Sequence, residues 1–139
     1  MYPFIDWTII NWTSLIIATV AGYGLGALWY SPILFGEIWM AERGMKDQKM
    51  EMGQAMYKMM ILTLGITLIM GFVLTQFIGT GAGAQMGMRA GLLAGIGFSA
   101  MSLIMNGIYN KKSANLMAIE SLHMVATLGL MGTILGYLG

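Results

Sequence analysis

Between Asp6 and Glu37 the chain runs for 30 residues without a charged side chain; it does so again between Lys58 and Arg89, and 21 more uncharged residues separate Arg89 from Lys111. The hydrocarbon core of a bilayer takes about 20 apolar residues per helix and offers no water to an open backbone, so such runs are spanning helices. The closing stretch, Ser113 to Gly139, carries only Glu120 and His123 as ionisable groups. The pattern predicts one all-α domain over residues 1–139, with four transmembrane helices at about 9–30, 57–78, 86–109 and 116–138.

With 139 residues, 58% of them hydrophobic and 9% charged, the spans consume nearly the whole chain. The longest polar stretch, about 36–57, has room for at most a short helix, so no soluble catalytic domain fits and no enzyme activity is expected. Within it Met45, Met52, Met56 and Met59 recur at roughly helical spacing. That spacing suits either an amphipathic interfacial helix or an extension of the second span packed on the bundle. A net charge of +1 without a basic face excludes nucleic acid as a partner. The absence of cysteine excludes disulfides, thiolate metal sites and cysteine nucleophiles, and no cofactor is expected. The amino terminus lacks the basic stretch of a signal peptide, so the first helix is expected to be retained.

Trp12 stands near one end of the first span and Trp29 and Tyr30 near the other, where amphipathic rings favour the headgroup layer. Arg43, Lys46, Lys49, Lys58, Lys111 and Lys112 gather on the side of the first and third loops, against Arg89 alone on the other. Positive loops stay in the cytoplasm, which puts both termini on the periplasmic side of a bacterial inner membrane. Asp6 would pair with Arg89 if the first and third helices adjoin.

Every span carries small residues at short intervals. Gly22 and Gly26 mark the first; Thr63, Thr67, Gly71 and Thr75 the second; Gly83, Gly87, Gly91, Gly95 and Ser99 the third; Gly129, Gly132 and Gly136 the fourth. Apolar side chains gain little by leaving lipid for protein, so membrane helices associate through close backbone approach, which small residues permit. These ridges serve either a tightly packed four-helix bundle or assembly into a homo-oligomer or a larger membrane complex. Apart from lipids, those are the partners expected.

Glu120 and His123, three residues apart, share a helix face that Thr127 extends, and Asn106 on the third span is expected at similar depth along the face continuing through Ser99 and Ser102. Ionisable groups inside a span are costly and mark functional candidates. The cluster is either a proton- or cation-binding site of a small permeation or transport-associated bundle, or an interhelical hydrogen-bond knot. A single Glu-x-x-His falls short of the two motifs and further carboxylates of a di-iron bundle. Met101 and Met105, one turn apart, form a candidate thioether pair for Cu(I), against the plainer role of methionine as flexible filler.

The segment Ala27-Leu-Trp-Tyr-Ser-Pro-Ile-Leu-Phe-Gly-Glu-Ile-Trp-Met40 resembles a family of small bacterial membrane proteins, the domain of unknown function 1761. Ile119-Glu-Ser-Leu-His-Met-Val125 and Met131-Gly-Thr-Ile-Leu-Gly136 resemble its fourth helix. The resemblance covers essentially the whole chain and implies four transmembrane helices in a bacterial membrane. It brings no activity and no binding residues with it. The family's pattern has Asp or Asn more often at the position of Glu120. The Trp29-Tyr30-Ser31-Pro32 signature reads either as a helix terminator docking on the first loop or as a ligand site at the cytoplasmic mouth.

Overall fold

The protein is described by a computed structural model covering residues 3–45 and 53–139; Lys46, Asp47, Lys49, Glu51 and Met52 lie outside the described residues. After a short 3-10 turn (Trp7–Ile9) come α1 (Trp12–Trp29), α2 (Gly36–Glu42) and α3 (Gln54–Ile78). The third span, Ala84–Tyr109, is built of α4 (Ala84–Ala94), a π-helical turn (Gly95–Ala100) and α5 (Met101–Tyr109), and α6 (Ala114–Leu138) closes the chain. The fold is all-α, and α1, α3, the third span and α6 are long and apolar enough to cross a membrane.

Local chemistry sets the ends of these helices. Asn11 accepts from the Ser14 amide at the start of α1, and Ser113 from the Leu116 amide at the start of α6, so each satisfies an orphan donor. The carboxamide of Asn11 also donates to the Leu138 carbonyl at the end of α6, 3.1 Å away. Gly79 ends α3 at φ 73°, which a residue without Cβ adopts freely.

The last helix is the centre of the bundle and touches every other helix. Its tightest neighbour is the third span. A Cβ at Gly87 would strike the Gly132 carbonyl, one at Gly91 the Leu128 carbonyl, and one at Gly136 the Gly83 carbonyl, while one at Gly95 would lie 2.8 Å from Val125 Cα. The two backbones therefore lie in direct contact along four successive turns. Met131, fully buried on α6, joins the remaining spans: its sulfur would lie 2.7 Å from a Cβ on Gly22 of α1, and its methyl 3.0 Å from one on Gly71 of α3. Around it Ile10, Leu15, Ala18, Leu74, Leu128 and Leu135 form a core in the half of the bundle nearest the termini.

The π turn changes which residues continue the ridge. Buried positions in the third span run Gly87, Gly91, Gly95 and then Ala100 and Gly107, a step of five where the turn lies. One extra residue per turn rotates the following helix by about 100° relative to an unbroken α-helix. The face expected through Ser102 and Asn106 is thereby turned outward, and both residues are exposed. Gly107 takes the inner position instead, against Met117.

The second span packs unevenly. Its only buried residues are Gly71, Leu74 and Thr75; from Gln54 to Met70 none is buried. At the closed end a reciprocal pair of bonds, Asp6 amide to Gln76 Oε1 at 2.9 Å and Gln76 Nε2 to the Asp6 carbonyl at 3.2 Å, ties the chain start to α3. The Asp6 carboxylate takes the Thr8 amide and hydroxyl, not Arg89. That follows from topology: α6 contacts α1, α3 and the third span alike, whereas α1 and the third span are not substantial neighbours.

Gly91→Ala is expected to destabilise the bundle by about 1–3 kcal/mol, since the obstructing atoms are backbone and cannot move aside. Gly65→Ala, where nothing lies within 4 Å, should stay within about 0.5 kcal/mol. Reversible unfolding in mixed micelles reads both, and equal losses would contradict this packing.

Candidate functional site

The segment after α1 folds back sharply. Ser31 and Pro32 stop the helix, Ser31 Oγ donates to the Leu28 carbonyl at 2.6 Å, and the Phe35 and Gly36 amides return to the Trp29 and Ser31 carbonyls at 3.0 Å each. Gly36 sits against the Tyr30 and Ser31 backbone with no room for a side chain. The Trp29 indole donates to the Ile119 carbonyl at 3.1 Å, and its ring packs on Phe35 at 4.8 Å. This reversal carries α2 to the amino-terminal end of α6.

There α2 is held by polar contacts. Glu42 accepts from Ser113 through a short hydrogen bond and from Asn115 at 3.2 Å, and the Trp39 indole donates to Glu120 at 3.5 Å. Arg43 lies over the Trp39 ring, 4.8 Å from its centre.

Behind α2, between α1, α6 and the unpacked half of α3, lies a cavity of about 470 Å³. Its volume is that of a small-molecule site. From α1 it is lined by Gly22, Tyr23, Gly26 and Ala27, with Tyr30 just beyond the helix; from α2 by Trp39 and Met40; from α6 by His123, Met124 and Thr127. From α3 come Met56, Met59, Met60, Thr63, Thr67 and Met70. Six of the sixteen lining residues are methionine, against 16 in 139 overall, so thioethers are concentrated here well beyond their share of the chain. Methionine is flexible and polarisable, and it suits surfaces that adapt to apolar ligands. A smaller groove of about 260 Å³ between α3 and the third span has Ser99 as its one polar lining residue.

Two residues lining the cavity carry a polar atom without a partner: His123 Nε2 and Thr127 Oγ1 are both buried out of contact with solvent and unbonded among the described residues. The imidazole is framed by the rings of Tyr30 at 5.0 Å and Trp29 at 5.9 Å. Gly26 makes room for it, since a Cβ there would stand 3.1 Å from Nε2.

Of the residues singled out in the sequence, the structure brings His123 and Thr127 together on the cavity wall, with Gly22 and Gly26 opposite. Glu120 lies on the same helix outside the lining, 15% exposed, bound to Lys112 at 2.8 Å; this is the one ion pair among the described residues. Asn106 is exposed for the reason given by the π turn, and only its backbone carbonyl is engaged, by Asn110. Gly83, Gly87, Gly91, Gly95, Gly132 and Gly136 lie where the third span meets α6. Met101 and Met105 are 47% and 60% exposed and stand apart from the cavity, whose thioethers come from other residues. Tyr30, Trp39 and the methionines of α3 were not recognisable as one group. Their common signal is the Trp-Tyr-Ser-Pro reversal, which brings α2 back over the cavity.

The hydrogen bonds from Ser113 and then Asn115 hold the Glu42 carboxyl below its ordinary value of 4.5. A carboxyl lowered in the folded state stabilises above its ordinary value and loses that contribution as pH falls through the lower folded value. The docking of α2, followed by Trp39 fluorescence, should therefore hold from neutral pH to about 4.5 and loosen below it. In Glu42→Gln this acid transition should disappear; an unchanged transition would assign it to another carboxylate.

No curated protein and no solved structure matches the chain. A family model described as a protein of unknown function, DUF1761, matches residues 13–136, from the first turn of α1 to the last turn of α6. With all four spans and the cavity inside that match, the chain belongs to the DUF1761 family.

Proposed function

We propose that this multi-pass protein of the bacterial cytoplasmic membrane binds a small lipid-soluble molecule in the cleft between α1, α3 and α6, in a transport-associated and non-catalytic role. The observation that carries this is the cavity itself, apolar and rich in thioethers, with His123 and Thr127 on one wall.

Arg43, Lys58, Lys111 and Lys112 belong to the end where α2 lies, and Arg89 to the other. By the positive-inside rule the mouth beside α2 faces the cytoplasmic leaflet and both termini face the periplasm. Between the cavity and the terminal end the bundle is filled by Leu15, Ala18, Leu74, Leu128 and Met131, which favours a blind binding site over a standing pore. The exposed lining residues Met59 and Thr63 give the cleft a side open to lipid.

A second reading, as an accessory subunit or homo-oligomer, draws on different glycines. The ridge of the third span is occupied within one chain, but Gly65 and Gly97 have nothing within 4 Å, so a partner helix approaching there meets no side chain.

Native mass spectrometry of gently extracted protein separates the two. The binding reading predicts one small amphipathic molecule retained per chain, and at least a tenfold loss of it in Thr63→Phe, which fills the cleft from an exposed position with little change in thermal stability. Full retention in that variant would overturn it, whereas stable co-extraction with another membrane protein would favour the accessory reading.

A further inference from the structure

We propose that α2 is a flap, fixed at Gly36 and latched at Glu42, whose release opens the cleft to water at the basic end of the bundle. The flap follows from the attachments of α2 itself and stands whether or not the cleft retains a ligand.

Although only 7 residues long, α2 is closed on itself. Gly44 takes φ 69°, and the Arg43, Gly44 and Met45 amides return to the Trp39, Ala41 and Met40 carbonyls at 3.1, 3.1 and 2.8 Å. The end of the helix thus satisfies its own carbonyls and asks no bond of the bundle. At the other end Gly36, the one buried residue of α2, stands against the Tyr30 and Ser31 backbone with no room for a Cβ. The result is a stiff unit with one fixed end.

The free end is held by side chains alone. Among the described residues α6 is the one helix with which α2 makes substantial contact. Glu42 accepts from Ser113 and Asn115, and all three residues are exposed, so water can replace either bond. The bond from Trp39 to Glu120, at 3.5 Å, is longer than a strong hydrogen bond. A segment with few buried contacts and solvent-exposed hydrogen bonds belongs to the low-stability part of a structure, which opens locally while the rest stays folded. The helices behind α2 are of the opposite kind, since the third span and α6 meet backbone to backbone.

Trp39 and Met40 are the part of the cavity wall that α2 supplies. Swinging α2 about Gly36 carries both away from the Tyr30 ring, on which Trp39 stands at 5.2 Å, and breaches that wall. Met59 and Thr63 already open the cleft sideways to lipid, so a lifted flap joins the lipid-facing opening to the adjoining water. With the core filling the half of the bundle nearest the termini, the passage runs between one leaflet and its own aqueous phase and does not cross the membrane.

The chain has no cysteine, so a single introduced thiol reports the arrival of water: it reacts as the thiolate, which lipid and packed protein suppress. The test is the rate at which a sulfonated maleimide labels the full chain in phospholipid nanodiscs, at Thr67→Cys in the cleft and at Ser14→Cys, buried in the bundle, as control. Thr67→Cys is expected to react slowly, in proportion to the open fraction, and about fivefold faster once Glu42→Ala is added. Asn115→Ala, which removes one of the two latch bonds, should give a smaller rise, and Ser14→Cys should stay unlabelled in every background. Labelling of Thr67→Cys at one rate with or without Glu42, or no labelling of it in any background, would overturn the flap. So would a Ser14→Cys rate that rises in step, since the whole bundle would then be loosening. No ligand enters this assay, so its outcome is independent of whether extracted protein retains a small molecule.

Discussion

The contact between α6 and the third span is the element on which the other helices depend. In lipid, burying a leucine against protein gains little over burying it against acyl chains, so association rests on how closely two backbones approach. Here the approach is at the limit, because Gly87 and Gly132 each occupy the space a Cβ of the other would need. Such contacts gain dispersion along both helices and hold the pair in one register. With that pair fixed, Met131 has a defined place from which to seat α1 through Gly22 and α3 through Gly71.

The cleft arises where this close packing stops. On α3 the stripe of small residues is of one kind in sequence but two kinds in structure: Gly71 and Thr75 are buried against the core, whereas Thr63 and Thr67 line the cavity. Their hydroxyls are satisfied by their own helix, so they bring no bond that would draw α3 against α1 or α6. The far end of α3 is pinned by Leu74, Gly71 and the Asp6–Gln76 pair. A helix anchored at one end and free along the other leaves a wedge of space, and the aromatic reversal after α1 covers it from the basic side.

Much of this architecture is legible in the sequence because membrane insertion and helix packing are written in simple patterns. Charge-free runs mark the four spans, and four-residue glycine spacing marks surfaces able to approach closely. The shared face of His123 and Thr127 follows from helical periodicity alone. The same periodicity places Asn106 in that cluster only by assuming 3.6 residues per turn throughout; the π turn at Gly95–Ala100 breaks the assumption, and no pattern announces it. The engagement of Glu120 by Lys112 is not legible in the pattern, because the lysine lies outside the span and reaches back by the length of its side chain. The cavity is a property of how α3 sits against its neighbours, so no local pattern contains it.

The π turn makes this chain sensitive to length as well as to composition. Substituting a residue in the inner half of the third span changes one contact, but adding or removing one between Gly95 and Ala100 would swing every later residue to a different side of the helix. Gly107 would leave Met117, and a lipid-facing side chain would meet α6 in its place. Among sequences that share this fold, a gap at that point would mean a different inner surface even where every aligned residue is identical.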